Sequence, residues 1–151
     1  MKIDAAIERV VSSENDLAHE LERVGERHRV EHDVFHMTAT LAKMSRARVD
    51  RLGRGDGSNG RGGVLTTVRE KTSEVIGRRP EPGALLLRDL RQIYLLASEA
   101  SIDWTILGQA AQAAKDSDLL AVVDECHAEE LRTLRWATQH VKEVAPQALT
   151  S

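Results

Sequence analysis

Residues 84–115 read ALLLRDLRQIYLLASEASIDWTILGQAAQAAK, and no proline interrupts them. Leu86, Leu90, Ile93, Ala97, Ala100, Trp104, Leu107 and Ala111 recur at alternating spacings of four and three, the period of one helix face. A second row, Leu95, Ile102, Ile106 and Ala110, points elsewhere on the same helix. A helix apolar on most of its circumference is central or lies in a dimer interface. The next segment begins at Asp116 or Ser117, either of which suits an N-cap, and is expected to end before Pro146. So short a turn makes the two helices antiparallel neighbours.

The same rhythm extends upstream. Leu17, Leu21, Val24, His28, Glu31, Phe35, Thr38, Ala42, Ser45 and Val49 predict one helix from an N-cap at Ser13 to about Leu52, with a bend near Gly25 and a short lead-in helix around Asp4–Val11. All three prolines, Pro80, Pro82 and Pro146, lie outside these stretches. Six of the ten glycines fall in GRGDGSNGRGG, residues 53–63, which predicts a flexible connection. A short helix fits Val64–Ile76, where Thr67 and Glu70 have capping-box spacing. β-branched alternation is absent, so the expectation is a single all-α domain over residues 1–151, an antiparallel helical bundle.

Composition narrows the setting. The chain has 151 residues, a formal net charge of -3 and 41% hydrophobic residues, enough for a core of its own. No apolar run reaches the roughly 18 residues of a membrane span. The start, Met1-Lys2-Ile3-Asp4, lacks the pattern of a signal peptide, and Cys126 stands alone, so a cytoplasmic protein without disulfides is expected. Gly55-x-Gly57-x-x-Gly60 follows no strand and is read as chance. Residues 43–91 hold 12 Lys or Arg against 6 Asp or Glu, but no aromatic residue there could stack on a base, which argues against nucleic acid.

Chemistry enters through polar residues on the apolar stripes. Val24-x3-His28-x2-Glu31-x3-Phe35 and Val123-x3-His127-x2-Glu130-x3-Leu134 share one template. Burying an imidazole and a carboxylate costs several kcal/mol, about 2–7 for each neutral polar group, unless each is paired or bound. Residues three apart share a helix face, so one ion could touch both members of a pair. Two pairs on facing helices would supply a ligand set suited to iron, manganese or zinc. Asp103, level with Glu130 across the turn, and Glu99, one turn further on, are the auxiliary carboxylates. Two other readings stand beside it: a hydrogen-bonded network that sets helix register, and a pocket that works without metal. His32 and His36 drift to the edge of the stripe and read as surface histidines, while Cys126 reads as a buried, inert thiol.

The stretch LRQIYLLASEASIDWTILGQAAQAAKDSDLLAVVDECHAEELRTL, with ERHRVEHDVFH upstream, resembles ferritin-like bundles of the rubrerythrin and bacterioferritin kind. Those hold a di-metal centre with a Glu from each of two helices and a Glu-x-x-His pair from each of the other two. The resemblance implies His28, Glu31, His127 and Glu130 as metal ligands, with Glu99 or Asp103 as a single carboxylate. The order in this chain is His-x-x-Glu. A role in metal handling or oxidative stress follows from the resemblance. A homodimer through the first or third helix is also expected and would complete the bundle. The competing expectation is a non-enzymatic scaffold or partner-binding protein whose His/Glu pairs fix helix register.

Overall fold

The computed structural model describes residues 2–54 and 81–150. Four helices account for nearly all of them: α1 (Lys2–Arg27), α2 (His32–Arg51), α3 (Pro82–Ala113) and α4 (Ser117–Thr150). No strand occurs among the described residues, in agreement with an all-α class. No helix among them is long and apolar enough to cross a membrane. The expected helix Val64–Ile76 and most of the glycine loop, from Gly55 onward, lie outside the described residues.

The largest correction concerns the first half of the chain. The single helix expected from Ser13 to Leu52 is two helices, broken at residues 28–31. Glu31 takes φ -87° and ψ 91° at the start of α2, and its N–H donates to the His28 carbonyl at 2.9 Å. No glycine or proline marks this break. Beyond the break the predicted stripe resumes, with Thr38, Ala42, Ser45 and Val49 buried on α2, whereas Glu31 is exposed and Phe35 half-buried. Upstream, the lead-in helix and α1 are continuous, so Ser13 is not a cap; its side chain is buried and its hydroxyl donates to Asp103.

α1 runs through Gly25 and ends two residues later, at Arg27. A Cβ on Gly25 would collide with Oγ1 of Thr38, so glycine is what lets α2 pack close against α1. At the other end of α2, Gly53 adopts φ +76°, and its N–H reaches the Asp50 carbonyl at 2.8 Å, a left-handed helix stop.

α3 opens with Pro82 in its first turn, where the missing N–H is harmless. Asp116 caps α4, accepting the Leu119 N–H at 3.1 Å. The expected stop before Pro146 does not occur, and α4 continues to Thr150. Pro146 is exposed and sits in the last two turns, where water can satisfy the carbonyl it leaves free.

Partners run in opposite order along each pair of touching helices. From α1 to α2, Glu8 meets Arg54, Glu14 meets Arg48 and Glu22 meets Arg46. From α1 to α3, Ser13 meets Asp103 and His28 meets Asp89. From α3 to α4, Gly83 lies against Ala148 and Ser101 meets His127. α2 reaches α4 through Arg48 with Glu129 and Arg51 with Glu125.

The core is not continuous. Leu17, Leu21, Val24, Leu41, Leu90, Ile93 and Ala97 belong to one cluster, and Val10, Trp104, Leu107, Val123 and Cys126 to another. On α1, α3 and α4 the two clusters are separated by buried polar residues: Ser13 and Glu14, then Asp103, then Glu130 and Thr133. Ser45 and Arg48 supply the same layer from α2.

Candidate functional site

The dividing layer is built around Arg48, whose side chain is 1% exposed. It follows Leu41 by two helical turns on the inward stripe of α2, so its position is dictated by the same periodicity as the apolar residues. Its guanidinium donates from Nε to Glu14 Oε2 at 3.1 Å and from Nη2 to Ser45 Oγ at 2.9 Å. Nη2 also lies 3.2 Å from Glu130 Oε2, and Nη1 reaches the half-buried Glu129 at 3.3 Å. One cation thus joins carboxylates from α1 and α4.

The two fully buried carboxyls differ in their partners. Glu14 accepts from Arg48 on one oxygen and from the Trp104 indole N–H, at 3.1 Å, on the other. Neither Glu130 oxygen has a hydrogen bond that satisfies distance and angle, and Thr133 Oγ1 beside it is also without one. Burial pushes the Glu130 carboxyl well above its ordinary range, and the adjacent Glu14 pushes it further; Arg48 pulls the other way without offsetting them. Arg48 is held fully protonated: burial opposes its charge, but Glu14 and Glu130 more than compensate. With both carboxyls ionised, the fully buried trio would carry one uncompensated negative charge. A proton on Glu130 removes it, leaving Glu14 as the acceptor.

The residues singled out on the sequence stripes are dispersed. His28 is buried in the α1–α2 turn, its Nε2 2.7 Å from Asp89 Oδ2, with Arg27 Nη1 at 3.2 Å from the same carboxylate. Glu31 is exposed, because both it and His28 lie in the break between α1 and α2, where three-residue spacing no longer puts two side chains on one face. His127 is half-buried and faces Ser101 Oγ at 2.9 Å. Asp103 is buried against Ser13, while Glu99 is exposed. His32 and His36 are exposed, with ring centroids 6.4 Å apart. His28 and Glu14 are fourteen residues apart on the α1 side of the molecule, about 21 Å of helix rise, so the His28 pair and the Glu130 cluster occupy different levels.

This geometry does not fit the metal ligand set expected from the resemblance. Among the described residues, no three His, Cys, Asp or Glu side chains are grouped so as to hold a metal ion. Where two buried carboxylates do approach each other, a fixed guanidinium stands between them and would repel a divalent cation. Cys126 lies beside this layer, buried, with its thiol pushed up to about 11 chiefly by burial. It is protonated near neutrality and inert, as a buried structural cysteine should be.

Glu14, Arg48 and Asp89 were not singled out by the sequence. Glu14 sits on the α1 stripe if Val10 and Leu17 are read as its neighbours, but a cap at Ser13 ends the stripe before it. Arg48 is adjacent to Val49, which carries the stripe; both are buried on α2, and Arg48 shares its side of the stripe with Leu41 and Ser45.

No family model matches this chain, and no curated protein or solved structure matches it.

Proposed function

We propose that this chain is a ferritin-like, antiparallel four-helix bundle that works as a non-enzymatic, partner-binding scaffold, its buried ionic layer fixing helix register where the family's pattern would hold metal. The reversed partner order along all four touching pairs supports antiparallel packing. It also leaves α2 and α3 running the same way, which calls for one long crossover, the connectivity that separates ferritin-like bundles from simple up-and-down ones.

The observation that carries the functional reading is Arg48, fully buried between two fully buried glutamates. A guanidinium in that position holds Glu14 with a directional hydrogen bond, lies within ion-pair distance of Glu130 and so ties α2 to α1 and α4. Sliding any one helix by a turn would strand a charge in the apolar interior, so the layer acts as a register lock.

Metal analysis of untagged protein purified without chelator tests this. The expected content is far below one ion per chain, and it is not raised by dialysis against iron, manganese or zinc. One or more tightly held ions per chain would overturn the scaffold reading in favour of metal handling.

A further inference from the structure

The outward face of α3 does not suit water. Tyr94, Leu95, Ile102 and Ile106 are 40%, 42%, 55% and 49% exposed, and Leu131 of α4, which lines the same groove as Tyr94, is 42% exposed. The other exposed large hydrophobics among the described residues, Val30, Met37 and Leu149, are scattered over α1–α2 and the end of α4. Leu95, Ile102 and Ile106 form one stripe, set apart from the buried stripe that faces α1 and α4. An exposed apolar row of this kind marks an interaction surface.

We propose that this face of α3 is the homodimer interface, with a second copy of the chain packed antiparallel against it about a two-fold axis at Leu95. Charge selects the occupant and the register. Arg91 and Glu99 lie one turn either side of Leu95, both are exposed, and neither has an ion-pair partner among the described residues. A two-fold axis perpendicular to α3 at Leu95 places Leu95 on the partner's Leu95. It brings Arg91 level with the partner's Glu99, and Glu99 level with the partner's Arg91. The same operation sets Ile102 against the aliphatic stem of the partner's Arg88, and Ile106 against the partner's Ala84 in the small-residue first turn of α3. Every apolar residue of the stripe is covered, and both charges are matched twice. Self-complementarity of this kind is what a two-fold interface requires. The surface is separate from the buried Arg48 layer, so it stands or falls independently of the scaffold reading.

Analytical ultracentrifugation of the full chain decides the matter. The wild type is expected to sediment as a dimer, and Ile102→Asp as a monomer with unchanged helical circular dichroism, since Ile102 is exposed in one copy. Arg91→Glu and Glu99→Arg should each weaken the dimer by about tenfold or more, as loss of a cross-interface charge pair does. The double variant R91E/E99R should recover wild-type affinity, because the swapped charges face each other again. A monomeric wild type, a dimer indifferent to Ile102→Asp, or a double swap no better than its single variants would overturn the proposal.

Discussion

The indole N–H of Trp104 donates to Oε1 of Glu14 at 3.1 Å, joining residues that lie 90 positions apart. Both side chains are fully buried, and the other oxygen of the same carboxylate receives Arg48. This pair ties the polar layer to the smaller apolar cluster, which contains Trp104. It also fixes which buried carboxyl is the acceptor, and therefore which one is left to take a proton.

Removing Arg48 should be far more damaging than removing the whole ionic group. Arg48→Ala strands Glu14 and Glu130 without their cation and is expected to cost about 3–5 kcal/mol. The triple replacement R48M/E14Q/E130Q removes the charges together and should recover most of that loss. Urea denaturation followed by circular dichroism measures both. Equal destabilisation of the two variants would show that packing volume, not charge, dominates the layer.

The raised Glu130 carboxyl gives stability an unusual pH dependence. The folded state holds this proton to higher pH than the unfolded chain, whose glutamates titrate near 4.5. Between those two values the native state binds more protons, so Glu130's contribution is complete below about 4.5 and is lost as pH rises through its folded value. Glu130→Gln keeps the shape without the ionisation. It should flatten the fall in stability from acid towards neutral pH that is expected of the wild type. Identical slopes of denaturation midpoint against pH for the two proteins would contradict the assignment.

Gly25→Ala tests the close approach of α1 and α2. The added methyl meets Oγ1 of the fully buried Thr38, and overpacking of this kind costs about 1–3 kcal/mol. Ala at Thr38 creates room, so G25A/T38A should be more stable than the sum of the single changes predicts. Thermal melts of the four proteins form the double-mutant cycle; strict additivity would mean that the helices simply move apart.

Cys126 should be a reporter of unfolding rather than a reactive group. Burial pushes its thiol up to about 11, and Arg51 lies 3.6 Å from the sulfur without bringing it back to the ordinary range. Ellman's reagent at neutral pH is expected to react slowly with native protein and promptly with one thiol per chain in denaturant. Rapid labelling of the native state would place the sulfur in solvent.

The amino-acid sequence by itself determined that this chain is helical, where α3 and α4 begin, and which faces of them are apolar. Those properties depend on local periodicity, proline placement and capping residues such as Asp116, all of which act within a few turns. It also flagged Glu130, because a carboxylate on an apolar stripe must find a partner. Only the tertiary structure decided which partner. The break at residues 28–31 leaves no mark in composition, and it reverses the chain so that Arg48 of α2 meets Glu14 of α1. The same break places Glu31 in solvent and gives His28 to Asp89, 61 positions away. Pairing of buried charges is a property of the folded neighbourhood, set by which helices touch and at what level, and a repeated His-x-x-Glu spacing along one strand of sequence carries no information about that.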